Sequence, residues 1–260
     1  MMRGLWDRET VALMLLAAYL PLAALWVWFG GTDAVLRFGM AALVLVFWNL
    51  VFMLARAQPP SLAALVTALA IAMLAPEDLG AFRLVLGISF GVVMGELVFG
   101  GWGRNVVNPA TVALSFLGFG FPSFPWPDFV DPVAWAAIPT ALIGIATGAM
   151  PAAVIAGALL VAVGAAGLGL LPEMALPAAG IVLVMLVCDP VTSATMGLGR
   201  MLNGALYGGL VTLFAAGWTG AAPVQIAVAA ALLTSLAAPV LDEAALALWL
   251  AKRRRRHDRN

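Results

Sequence analysis

Long apolar runs alternate along this chain with short breaks rich in glycine, proline or charge. A helix needs about 20 apolar residues to cross a bilayer. On that measure the pattern predicts spans at Val11–Phe29, Ala34–Leu54, Ser61–Leu74, Arg83–Val98 and Val107–Phe121. A second set follows at Val133–Ala146, Pro151–Leu171, Met174–Val187, Met201–Trp218 and Val224–Leu250, the last long enough to bend at Pro239. Several are short, which suits tilted or broken helices. The expected fold is an all-α integral membrane protein, one polytopic bundle of about ten transmembrane helices (eight to ten) over residues 1–260. Repeat halves fall at about 1–125 and 126–251, followed by a basic tail at 252–260.

One stretch departs from the pattern: Gly100-Gly101-Trp102-Gly103-Arg104-Asn105-Val106-Val107-Asn108-Pro109-Ala110. Its glycines and Pro109 break or bend helices. Asn105 and Asn108 bring amide donors and acceptors to a place where lipid offers none. Irregular backbone at membrane depth is tolerated only where protein or a cavity surrounds it. A second polar stretch, Asp189-Pro190-Val191-Thr192-Ser193-Ala194-Thr195, follows the apolar run that ends at Cys188. Asn108-Pro109-Ala110-Thr111 and Asp189-Pro190-Val191-Thr192 share a form, an Asx-Pro at a helix start with Thr three residues on. That likeness suggests an internal repeat of broken helices, as in many transporters. Ionisable groups within spans are costly and by default face a cavity or a partner. Glu96 and Asp189 are therefore candidates for an ion or solute path, and Asp189 also reads as a helix N-cap before Pro190.

Composition narrows the class. The chain is 64% hydrophobic and 10% charged with mean hydropathy +1.06, whereas a soluble domain carries about 25% charged residues. A net charge of zero argues against nucleic acid, and a single Cys and a single His exclude an intramolecular disulfide and a His-pair haem site. Met1–Glu9 is short and mixed in charge, so no cleavable signal is expected. With an inside N-terminus, eleven of the thirteen Lys and Arg fall inside and only Arg37 and Arg83 outside, which predicts both termini in the cytoplasm. The tail Lys252–Arg256 reads as a stop signal, or as a site for anionic membrane lipid. Phe121-Pro-Ser-Phe-Pro-Trp-Pro-Asp128 reads as an extended interfacial loop with its rings at headgroup depth. No nucleophile–base pair and no NADH-binding motif is present, so any enzyme activity would belong to a complex.

The glycine/asparagine stretch, with Phe116-Leu117 and Phe121-Pro122 after it, resembles a known family of membrane subunits. Its members are lettered B in the sodium-translocating NADH:quinone oxidoreductase and D in the Rnf electron-transport complex. The Asp189–Thr195 stretch, Gly199-Arg200, Gly204-Ala205, Gly208-Gly209 and Ala238-Pro239-Val240-Leu241-Asp242 follow the order of the Rnf member. The resemblance implies inverted-repeat, urea-transporter-like architecture in a bacterial inner membrane. It also implies other membrane subunits as partners, and flavin-dependent electron transport coupled to Na+ or H+ movement. A flavin (riboflavin or FMN) held non-covalently would meet Asn105, Asn108, Asp189, Thr192 and Gly103. One departure stands out. The family esterifies FMN to the last Thr of a Ser/Thr-Gly-Ala-Thr motif, whereas the nearest string here is Thr147-Gly148-Ala149-Met150, and Met150 has no hydroxyl. Two functions follow as expectations: a membrane subunit of an ion-translocating electron-transport complex, or a small-solute or ion channel of the same fold without redox function.

Overall fold

The computed structural model describes residues 7–57 and 60–257. The expectations placed on Arg3, on Arg259, on the end of the basic tail (258–260) and on the side chains of Arg255 and Arg256 lie outside the described residues. The elements are α1 (Arg8–Arg56), α2 (Ala63–Leu74), α3 (Gly80–Gly95) with a 3-10 turn at Leu97–Phe99, and α4 (Pro109–Gly120). Then come α5 (Asp131–Trp135), α6 (Ala137–Thr147), α7 (Ala152–Gly167), α8 (Ala175–Val182) continued by a π turn at Leu183–Val187, α9 (Gly197–Gly217) and α10 (Pro223–His257). No strand occurs among the described residues. Three helices are long and apolar enough to cross a membrane, within Arg8–Arg56, Gly80–Phe99 and Pro223–Arg254. Five more are apolar but shorter, as expected for tilted or broken segments.

The α1 helix is two helices joined at one residue. It starts at Asp7, whose side chain accepts the Arg8 backbone N–H at 2.7 Å, and it breaks at Gly31, where φ is 58° and ψ −139°. A straight helix of 49 residues would run about 73 Å. Yet Arg8 donates to the Trp102 carbonyl at 3.0 Å and Arg56 donates to the Val98 carbonyl at 3.3 Å. Both ends of α1 therefore lie beside the same short segment, so its halves fold back on each other at Gly31. This is the turn expected between Phe29 and Ala34.

Glycine lets two helix pairs approach closely. On α3, Gly87, Gly91 and Gly95 lie against Leu117, Ala113 and Pro109 of α4, a descending match that makes the pair antiparallel. Gly204 of α9 lies against the Val154 carbonyl of α7, and Gly157 of α7 against the Met201 carbonyl of α9. Without a hydrophobic drive between helices in lipid, such backbone contact supplies the packing energy. Large apolar side chains such as Trp28, Leu54, Phe82 and Val163 face outward, the surface a bilayer covers.

In the aromatic loop Trp126 is buried over Gly118, while Arg83 lies over Phe121 and Phe124 at 5.8 and 4.9 Å. One expectation is corrected: Asp189-Pro190 does not open a helix. It forms one turn, closed by the Ser193 N–H on the Asp189 carbonyl at 3.1 Å, and α9 begins only at Gly197. The Asx-Pro likeness that suggested a repeat thus holds for one of its two members.

Candidate functional site

The polar stretch before α4 builds one wall. Asn108 is the N-cap of α4: its Oδ1 accepts the Ala110 N–H at 2.9 Å, and Pro109 fills the first helical position, where no N–H is required. That orientation points the amide Nδ2 at the Asp189 carboxylate, to which it donates at 3.2 Å. Asp189 collects two further donors, the Val191 N–H at 3.1 Å and the Thr192 hydroxyl at 3.0 Å. Residues 81 apart in the chain are thereby joined in the interior. A buried carboxylate is tolerated when donors converge on it like this.

Asn105 and Gly103 do not join that cluster. The Gly103 N–H donates to Asn105 Oδ1 at 3.1 Å and Asn105 Nδ2 donates to the Val107 carbonyl at 3.4 Å, so both brace their own loop. Gly103 has φ +97°, the left-handed region that favours glycine, and its α-carbon lies beside the Arg8 side chain. Glu96 ends α3 with its backbone carbonyl accepting from Phe99 and Gly101. Its side chain is 1% exposed, and its Oε2 has no hydrogen-bond partner. Asp189 is 4% exposed. Among the described residues neither carboxylate has a Lys, Arg or His nitrogen within ion-pair distance; the one ion pair joins Arg8 to Glu9 at 3.6 Å.

Sequence reasoning missed two groups. Tyr19 donates from its hydroxyl to the Val184 carbonyl at 3.0 Å, inside the π turn that leads into Cys188 and Asp189. A lone hydroxyl within an apolar run was the available signal. Asp242 of α10 receives the Thr195 N–H and hydroxyl, both at 2.7 Å, and the Met196 N–H at 2.9 Å. It caps α9 from another helix, because Met196 at the N-cap position has no capping side chain.

Tyr19, Trp102, Asn108 and Asp189 surround a cavity of about 10 Å³, room for a single water. Ordinary cofactor pockets run to about 300 Å³ or more. Amides and a carboxylate are the right donors and acceptors for a flavin ring edge, but here they bond to each other around a water-sized space. As packed, these residues do not fit a flavin. The motif-like string Thr147-Gly148-Ala149-Met150 is a helix stop: Gly148 takes φ 76°, the Met150 N–H returns to the Gly144 carbonyl at 2.9 Å, and the Met150 side chain is buried against Gly144. No group of three His, Cys, Asp or Glu that could hold a metal occurs among the described residues.

A family model described as the NQR2, RnfD, RnfE family matches residues 3–143, just over half of the chain. The B subunit of a Na(+)-translocating NADH-quinone reductase from Yersinia pestis is 40% identical over 77 residues, 30% of this chain and 19% of that protein. The corresponding subunits of Stutzerimonas stutzeri and Klebsiella pneumoniae are each 39% identical over the same extent. The match thus spans about a fifth of the length of these relatives. Glu96, Asn105 and Asn108 lie within the residues the family model matches, and Asp189 lies beyond them.

Proposed function

The chain belongs to the NQR2, RnfD, RnfE family, and we propose that it is a membrane subunit of an ion-translocating electron-transport complex of the Rnf/Nqr type. On this reading the chain crosses the bacterial inner membrane about ten times as two inverted halves, both termini are cytoplasmic, and other membrane subunits are its partners. One observation carries the ion-handling part. Two buried carboxyls, Glu96 and Asp189, lie in the interior with no Lys, Arg or His nitrogen within ion-pair distance among the described residues. Buried charge is retained when it is paired or functional. A carboxyl neutralised by a small mobile cation, H+ or Na+, has a role in translocation that a fixed Lys or Arg partner would block. Asp189 is steadied by Asn108 and Thr192, while Glu96 keeps a free oxygen to offer.

The test uses membrane vesicles from a strain in which this chain, or its Glu96→Gln variant, is the sole copy, with cation uptake followed on adding reductant. Reductant-driven uptake that disappears in the variant supports the proposal. The second reading is a channel or solute transporter of the same fold without redox function. The absent hydroxyl at Met150 favours it, and uptake that ignores reductant yet needs Glu96 would select it. Non-covalent flavin at Asn105, Asn108, Asp189, Thr192 and Gly103 is a separate proposal. The donor chemistry supports it, and the closed packing requires the cluster to open first.

A further inference from the structure

At the end of α4 remote from Asn108 lies a second cavity, between α4, the aromatic loop and the facing ends of α9 and α10. Ser115, Trp126 and Gln225 are the polar residues among its lining, beside Gly118, Phe119 and Trp218. Ser115 is 9% and Trp126 8% exposed, and neither the Ser115 hydroxyl nor the Trp126 indole N–H has a hydrogen-bond partner in the protein. The indole meets α4 by its Cζ2 edge, so closely that a Cβ at Gly118 would fall 2.7 Å from that atom. Glycine at 118 is what allows the ring, and its N–H, to enter.

The chemistry of the missing partner is restricted. An indole N–H only donates, and the serine hydroxyl can donate as well, so the occupant must present an acceptor oxygen. Buried donors left unmade are expensive, and two of them beside one cavity mark a place where something binds. The cavity measures about 10 Å³, enough for one oxygen rather than a whole solute. Its surroundings are apolar, and Phe119 beside it is 68% exposed. Its depth is set by the aromatic loop, where Arg83 stacks on Phe121 and Phe124 and the apolar span of α4 ends. Rings and cations gather at that level, the membrane–water boundary. An oxygen acceptor carried on an apolar chain, at the boundary, is the ester carbonyl of a glycerolipid.

We propose that Ser115 and Trp126, aided by Gln225, form a lipid site that takes an acyl-ester carbonyl, with the acyl chain leaving past Phe119. The inference needs the chain to lie in a bilayer and does not depend on ion or electron transport. Native mass spectrometry of the detergent-solubilised protein tests it with two probes, dioleoyl phosphatidylglycerol and its ether-linked counterpart, which lacks both ester carbonyls. The first bound lipid should be held about tenfold more tightly when ester-linked. Trp126→Phe, which removes the N–H donor together with about a third of the ring atoms, should bring the ester lipid down to the ether level, and Ser115→Ala, which removes only the hydroxyl, should act in the same direction. Equal affinity for the two lipids in the unaltered protein would overturn the proposal whatever the variants do, and would leave a single bridging water as the occupant. Ester preference that persists in both variants would overturn the assignment to these residues.

Discussion

The Asn108–Asp189 contact can be tested by exchanging its two residues. Asn108 cannot turn its amide, because Oδ1 is held by the Ala110 N–H at 2.9 Å, so its NH2 must face residue 189. In Asp189→Asn one carboxylate oxygen becomes an NH2. If that group faces Asn108, two donors oppose each other; if it faces the other way, it opposes the Val191 N–H. The first arrangement loses the Asn108 and Thr192 bonds and the second the Val191 bond, and either strands a buried donor, about 2–4 kcal/mol together. Asn108→Asp alone places two carboxylates against each other across a 3.2 Å contact and should cost at least as much. In the double variant the carboxylate at position 108 accepts from the Ala110 N–H with one oxygen and from the amide NH2 at position 189 with the other. With the Thr192 hydroxyl turned to accept the second amide hydrogen in place of donating to Oδ2, complementarity returns, and stability should recover to within about 1 kcal/mol of the starting protein. The assay is reversible unfolding of purified protein in mixed detergent micelles, read as a double-mutant cycle. Single variants that are neutral, or a double variant as unstable as the sum of the two, would refute the paired geometry.

Other consequences follow from single groups. Asp242→Ala removes three bonds from the start of α9 and should cost about 2 kcal/mol; Asp242→Asn should recover part of it in the same unfolding assay. Tyr19→Phe frees the Val184 carbonyl and should cost about 1 kcal/mol, with faster hydrogen exchange confined to the π turn and Cys188. Gly204→Ala drives a methyl into the Val154 carbonyl, so the level of protein in the membrane should fall sharply; an unchanged level would place α7 and α9 further apart than described.

Much of the helical layout was legible because apolar runs end at residues with their own stop signals. Gly30-Gly31 separates the halves of α1, Asn108-Pro109 starts α4, and Gly148 ends α6. Asn108 and Asp189 were both identifiable as polar groups in an apolar setting, and the structure joins them. The family resemblance put both at one site, but their direct bond was not legible, since a contact across 81 residues leaves no local trace. The same reason hid Asp242, which caps a helix start 47 residues away. Asp189 misled through a local rule: Asx before Pro favours a helix start, yet Thr192 and Val191 bond back to the carboxylate and the turn stops at Ser193. The π turn at Leu183–Val187 was invisible because an apolar run reads alike in α and π windings. Asn105 sits three residues from Asn108 but braces its own loop, a difference that spacing cannot express.

The central claim is that a buried carboxyl of this chain carries the translocated cation, and Glu96→Gln tests it most directly. The change is isosteric and removes no hydrogen bond from Oε2, which has none; the unpartnered NH2 it introduces costs some stability, so the amount of inserted protein is the control. Reductant-driven cation uptake into vesicles, with the amount of inserted protein measured alongside, should drop at least about tenfold. Undiminished uptake at normal protein levels would contradict the account.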